Sequence, residues 1–206
     1  MANLLIETET EVSVEARHVH VGDRAIPFDR FLDMAEGRFV ELERGVIVEK
    51  PMVQLDHEMC SIWLIQVMGM YAKKRTLGRF LTSRIMVKTE TFSGRMPDLM
   101  FIKQDRIGIS QQRAVYGAPD LVIEIISPHD RISHLRWLEA EYFGLGVPEL
   151  VFIDLQKKEL RVLRRRDEGY AETKVSEGPV TFEALAGLTL DAEWILREPR
   201  PDEVDT

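Results

Sequence analysis

Residues 118–128 read Ala-Pro-Asp-Leu-Val-Ile-Glu-Ile-Ile-Ser-Pro, and the fold turns on how this run is placed. Asp120–Ile126 is a short apolar run rich in branched residues, and proline closes it at both ends. That is the mark of a central strand covered on both faces, not of an alternating surface strand. Glu124 stands in its middle. An unpaired carboxylate in such a strand is costly and normally escapes by pairing, protonation or metal binding. A second run of the same kind, Asp98–Lys103, opens with a carboxylate directly after Pro97. The interval from Asp98 to Glu124 allows one strand, a loop and a return strand alongside, which would bring both carboxylates to one cation. Two other readings stay open: Glu124 points outward from an edge strand, or it pairs with an arginine.

Working outward, Arg38–Leu42 and Val46–Glu49 around Arg44-Gly45 read as a hairpin. Ahead of it, Ile26-Pro27-Phe28 turns into a short helix over Asp29–Glu36, with Asp29 as its N-cap. Leu55–Lys74 is the longest helical stretch, and the apolar residues between Ile62 and Met68 predict burial on most of its sides. Its closing cations Lys73, Lys74 and Arg75 suit a helix C-terminus. Phe80–Lys88 reads as one strand, followed by a loop at Ser93-Gly94-Arg95. Downstream, Ser133–Phe143 is helical by spacing and Gly144–Pro148 closes it. Leu150–Asp154 and Leu160–Arg164 form a further strand pair, and Thr181–Leu185 reads as a helix before a short strand. The class is α/β: a mixed sheet flanked by helices, in one domain over 1–206. Its core covers about 38–165, with an arm at 1–25 and a tail at 198–206 as peripheral additions.

Composition narrows the function. The chain has 206 residues, 45% of them hydrophobic, and a mean hydropathy of −0.15, which excludes a disordered polymer. No apolar run approaches the roughly 20 residues a bilayer requires, so no membrane role is expected. The opening residues show no secretory signal, and a cytoplasmic protein is expected. The single cysteine, Cys60, excludes an internal disulfide framework and a multi-cysteine zinc site. Against 27 Lys+Arg stand 35 Asp+Glu, a net charge of −8. That disfavours non-specific nucleic-acid binding, which draws on phosphate neutralisation. A metal-dependent nuclease nevertheless needs clustered carboxylates, with its basic residues segregated to one face.

Three segments carry a resemblance: Met96-Pro97-Asp98, the run 118–128, and Gly146-Val147-Pro148-Glu149 before an apolar strand ending in Asp154. In order and spacing they resemble the restriction-endonuclease-like PD-(D/E)XK superfamily, closest to its large bacterial branch of endonucleases. Glu41-Leu42-Glu43-Arg44-Gly45 resembles that branch's early hairpin, and His57 matches a histidine that opens its long helix. The resemblance covers roughly Val40 to Asp154. It implies a metal-dependent DNA endonuclease that hydrolyses phosphodiester bonds. Asp98 would be the first acid and Glu124 the second, binding Mg²⁺ or Mn²⁺ with the carbonyl of Ile125 completing the ligand set. Glu41 would ligate directly or through water; otherwise it is an exposed strand carboxylate. Asp120 also matches. By even spacing it shares a strand face with Glu124, and it is either a further catalytic acid, as an extra metal ligand or an orienting group, or a cap of the preceding loop. His57 is either catalytic or a helix-start or core histidine.

The pattern breaks at one place. The superfamily's lysine should follow the second acid by two residues, where this chain has Ile126. The helix lysine that substitutes in the resembling branch falls on Leu138, and an acid one turn earlier falls on His134. The same helix face offers Arg131 and His134. His134 would orient water or act as a base near neutral pH; Arg131 would supply charge but is a poor proton acceptor. The expectation is an endonuclease that is slow or inactive because Leu138 stands where an amine belongs. The alternative is a catalytically inactive nuclease-fold protein acting as a nucleic-acid-binding or scaffolding module. DNA is the expected partner and a homodimer the expected assembly, since two-strand cleavage by such folds commonly uses two sites. Arg164-Arg165-Arg166 is either a phosphate contact or a solvated strand end.

Overall fold

The computed structural model describes residues 25–82, 84–128 and 130–197. The expected N-terminal arm, apart from its last residue, and the C-terminal tail lie outside these residues. In chain order come α1 (Phe28–Met34), β1 (Val40–Glu43), β2 (Val46–Glu49), α2 (Leu55–Lys74), β3 (Gly78–Thr82), β4 (Met86–Glu90), β5 (Ser93–Arg95) and β6 (Leu99–Lys103). A 3-10 turn over Gln104–Ile109 leads to β7 (Ala114–Val115), β8 (Leu121–Ile125), α3 (Ile132–Leu145), β9 (Glu149–Asp154), β10 (Glu159–Arg166) and β11 (Gly169–Val175). The last elements are β12 (Pro179–Thr181), β13 (Thr189–Asp191) and α4 (Ala192–Arg197).

The quoted run becomes β8, at the centre of a six-stranded sheet ordered β11-β10-β9-β8-β6-β3. It pairs antiparallel with β6 and parallel with β9, and α3 makes the crossover that a parallel neighbour requires. Its period of two sorts side chains by face. Leu121, Ile123 and Ile125 join Leu99, Phe101, Val151 and Ile153 against Cys60, Leu64 and Met68 of α2 and the chain beyond Val180. Val122 joins Met100, Ile102, Leu150 and Phe152 against Leu138 and Tyr142 of α3. Both faces are covered, which is why the run carries no alternation. The result is the expected mixed sheet flanked by helices.

A second sheet of five strands, β2-β1-β5-β4-β7, packs around α1, whose Phe28 and Phe31 are fully buried. Its β1–β2 hairpin turns through Arg44 and Gly45, both at positive φ (49° and 84°), the twist that two-residue hairpins use. The turn sets the register Glu43↔Val46 and Glu41↔Val48. Residue 50, two beyond Val48, therefore falls on the face of Glu41.

Several local readings are corrected. The single strand expected over Phe80–Lys88 is two strands in different sheets, β3 pairing with β6 and β4 with β5 and β7. The break passes through Arg84 at φ 98°, a turn without a glycine or proline signal. Ser93–Arg95 is a buried strand, not a loop, because β1 and β4 both pair with it. Thr181–Leu185 forms a single turn rather than a helix, with the N–H groups of Glu183 and Ala184 donated to the Glu149 carboxylate. The N-cap of α1 is Pro27; Asp29 lies in the first turn and accepts from Tyr116. α2 buries one face (His57, Cys60, Trp63, Leu64, Met68, Ala72), leaving Leu55, Met59, Ile62 and Met70 on its outer side. Among the described residues no helix is long and apolar enough to cross a membrane.

Gly94 lets α1 approach the small sheet. A Cβ there would lie 2.2 Å from Cε2 and 2.6 Å from Cδ2 of Phe28, a ring with no exposure through which to swing away. Gly94→Ala should lower unfolding free energy by roughly 1–3 kcal/mol in urea denaturation. Adding Phe28→Leu should recover part of that loss, and wild-type stability in Gly94→Ala would contradict the packing described.

Candidate active site

Asp98 precedes β6 directly, so the pairing Leu99↔Ile123 places it opposite Glu124 on the next strand. Residues opposite one another in a sheet share a face, here the one covered by α3. Two backbone amides and two side chains fix the pair. The Ile125 N–H donates to Asp98 Oδ2 (2.8 Å), and the Asp98 N–H donates to Glu124 Oε2 (3.4 Å). The Tyr142 hydroxyl donates to Glu124 Oε1 at 2.5 Å. His57, in the first turn of α2, brings Nε2 to 3.1 Å from Asp98 Oδ2, and its Nδ1 is buried with no hydrogen-bond partner among the described residues. Burial, and then the neighbouring charge of Asp98, push the Glu124 carboxyl up to about 8, although Lys50 and the Tyr142 hydroxyl pull the other way. Burial and the same carboxylate raise Tyr142 well above the ordinary phenol range.

Tyr142 is held in place from the helix end. The N–H of Val147 bonds the Tyr142 carbonyl (3.0 Å) and that of Gly146, at φ 98°, bonds the Phe143 carbonyl (3.1 Å). This is the Schellman termination, which the Gly146-Val147 pair supplies.

Beside the acidic pair lies a charge cluster built on Arg95, whose side chain is 1% exposed. Its Nη1 meets Glu41 at 3.0 Å and Glu43 at 2.7 Å, while Nε and Nη2 both reach Glu141 Oε2 at 3.0 and 2.9 Å. The Trp137 ring covers the guanidinium at 4.0 Å, and Thr89 bonds the other oxygen of Glu141. Lys50, just past β2, donates to the Met96 carbonyl (2.8 Å) and lies 3.3 Å from Glu41 Oε1. Burial would raise Glu41, but Lys50, Arg95 and the Met96 N–H together hold it down to about 2.

The structure thus brings Asp98, Glu124, Glu41 and His57 together. Asp120 lies elsewhere. It precedes the first residue of β8, at the opposite end of that strand from Glu124. There its carboxylate accepts from the Lys103 N–H (2.9 Å) and pairs with Arg106 (2.7 Å), so even spacing puts it on the right face but at the wrong end. His134 is half-buried with its ring 5.7 Å from that of Trp137, and among the described residues it makes no hydrogen bond to Asp98 or Glu124. Leu138 is buried against Val122 and Met100, and Arg131 is exposed just before α3. Arg164 pairs with Glu149 and Glu183, and Arg165 covers the Phe143 ring at 3.9 Å, so both serve the fold. The residues not foreseen are Lys50, Arg95, Glu141 and the bonding role of Tyr142. Only Lys50 left a signal in the sequence, through the hairpin register.

A divalent cation suits this donor set. Magnesium is commonly held by one or two carboxylates and keeps several waters. Among the described residues no three His, Cys, Asp or Glu side chains group as metal ligands, and Glu41 is already paired with two cations, Arg95 at 3.0 Å and Lys50 at 3.3 Å. The carboxylates of this site without a lysine or arginine of their own at this distance, among the described residues, are Asp98 and Glu124. Burial first and the Asp98 charge second push Glu124 up, and a cation between the two carboxylates would relieve the second of these.

Against known proteins, residues 28–193 match the family model described as "Uma2: Putative restriction endonuclease". A crystal structure described as that of a "putative nuclease belonging to DUF820" from Anabaena variabilis superposes with a TM-score of 0.70 at 22% identity, over 83% of this chain and 97% of that one. A comparison with curated proteins finds no match.

Two outcomes follow from the electrostatics. A carboxyl raised on folding favours the folded state at low pH and loses that contribution as pH climbs through its folded value, here about 8. In EDTA, wild-type stability should fall between about pH 5 and 8 more steeply than that of Glu124→Gln, as read by urea titrations at each pH; parallel profiles would contradict this. Removing Arg95 leaves three glutamates facing one another. Arg95→Ala should cost about 3–5 kcal/mol in the same assay.

Proposed function

Because the chain belongs to the Uma2 family of restriction-endonuclease-like proteins, we propose that it is a metal-dependent DNA endonuclease that hydrolyses phosphodiester bonds at Asp98 and Glu124. The observation that carries this reading is the placement of two carboxylates opposite one another on central strands. Burial and mutual repulsion make that pair unfavourable until a cation sits between them. Asp98 and Glu124 would hold Mg²⁺ or Mn²⁺, an ion class typical of restriction-endonuclease-like proteins. Bound there, it would polarise the scissile phosphate and lower the pKa of the attacking water.

The protein's own groups do the positioning. The Ile125 N–H and His57 fix Asp98, and Tyr142 fixes Glu124, so neither carboxylate has to be ordered when substrate arrives. His57 would keep Nε2 toward Asp98. Glu41 supports the pair indirectly, since its Oε1 accepts from the Met96 N–H (2.8 Å) two residues before Asp98. Neither Asp120 nor His134 is assigned a part in the chemistry: the first is spent on Arg106 and the second rests on Trp137. The buried setting of Leu138 accounts for the missing helix amine, since a lysine there would enter an apolar layer. DNA is the proposed substrate and a homodimer the proposed assembly, one site serving each strand.

The test is nicking of supercoiled plasmid in Mn²⁺ by the purified protein beside Asp98→Ala. Wild type should nick, and Asp98→Ala should be at least 10²-fold slower with an unchanged melting temperature. DNA binding at low salt with no nicking would replace this reading with that of a binding or scaffolding module.

A further inference from the structure

Two cations enter the acidic cluster, and they are not equivalent. Arg95 is spent: its side chain is 1% exposed and its donors are distributed over Glu41, Glu43 and Glu141. Lys50 is not. Its side chain is 21% exposed, and of three ammonium protons one goes to the Met96 carbonyl (2.8 Å) and one faces Glu41 at the looser 3.3 Å. The third has no protein acceptor among the described residues. Glu41 shares its charge with Lys50, but its two oxygens are also bonded by the Arg95 guanidinium and the Met96 N–H at the shorter 3.0 and 2.8 Å. The hairpin register sets Lys50 on the face of Glu41, and Met96 ties it to the segment that ends in Asp98.

We propose that Lys50, just past β2, is the working cation of this site: its ammonium donates to a phosphate oxygen beside the Asp98–Glu124 pair. The proposal rests on the nuclease reading above. Burial favours a neutral amine, but the charges of Glu41, Asp98 and Glu124 outweigh it and keep Lys50 protonated. Held on the Met96 carbonyl at 2.8 Å and 3.3 Å from Glu41, it is placed to act as an electrostatic donor. In the hydrolysis the water oxygen bonds to phosphorus with its electron pair and the P–O bond to the leaving sugar oxygen breaks. The water proton passes to solvent, and the departing oxygen takes up a solvent proton. Lys50 keeps its protons throughout and gives one N–H as a hydrogen bond to the nonbridging oxygen on which charge builds. A donor aimed at developing charge in a water-poor site is worth roughly 10²–10³ in rate.

The test uses the full chain as wild type, Lys50→Met and Asp98→Ala, with calorimetric titration of MnCl₂ beside plasmid nicking. Lys50→Met should bind Mn²⁺ at least as tightly as wild type, because a positive charge has left the neighbourhood of the ligands, and should nick at least 10²-fold more slowly. Nicking within threefold of wild type overturns the proposal, as does loss of Mn²⁺ binding together with nicking, which would make Lys50 a prop for the acidic pair. If Lys50→Met fails to fold, Lys50→Arg carries the test. Its planar fork would turn onto Glu41 and Met96 instead of presenting a compact donor, so it should melt like wild type and nick at least tenfold more slowly. Undiminished nicking by that variant overturns the proposal. A wild type that binds Mn²⁺ but never nicks fails the nuclease reading itself, an outcome distinct from active wild type with active Lys50→Met.

Discussion

A guanidinium can be buried only where its charge is answered at several points, and Arg95 is answered by three glutamates from two separate elements. Glu41 and Glu43 come from β1, and Glu141 comes from α3. One side chain on the short strand β5 therefore holds the small sheet and the crossover helix against each other, with Trp137 stacked over it. The chain positions next to these anchors carry the site. Tyr142 follows Glu141 and bonds Glu124; Asp98 lies three residues beyond Arg95 and meets Glu124 across the register. Errors in the Arg95 cluster would propagate directly into the spacing of the two carboxylates.

The cluster also explains how an acidic protein of net charge −8 tolerates this centre. Arg95 answers Glu41, Glu43 and Glu141 on one side, while Asp98 and Glu124 have no arginine or lysine paired directly with them among the described residues. The difference appears in the carboxyl groups themselves. Glu41 is held down to about 2 by its cations, while Glu124, a short way off, is pushed up to about 8 by burial and its neighbour. Two glutamates in one site are thus driven in opposite directions by their surroundings, as happens where burial and charge are unevenly distributed.

The central strands were legible because burial on both faces leaves a chemical trace, an unbroken branched run with proline at its ends. A carboxylate inside such a run is conspicuous for the same reason, so Asp98 and Glu124 could be singled out from residue types alone. Asp120 looked equivalent to Glu124 by parity. Parity specifies a face but not a position along the strand, and Asp120 lies beyond the far end, by Arg106. His134 shared a helix face with Leu138, yet its ring rests on Trp137 because that neighbour, not the sheet, lies next to it. The break between β3 and β4 and the buried strand β5 were missed because their partners are remote in sequence and pairing writes no local signal.

What the sequence determined by itself was the set of central strands, the helix between β8 and β9, and the position of Asp98 before one of those strands and of Glu124 within another. These follow from periodicity, turn chemistry and the cost of a carboxylate among apolar side chains, all of which act locally. Tertiary structure alone decided which charges meet: Arg95 with three glutamates, Lys50 with Glu41 and the Met96 carbonyl, and Tyr142 with Glu124. The physical reason is that electrostatic pairing depends on distance through space, which the chain sets only when two sheets and a helix close on one another.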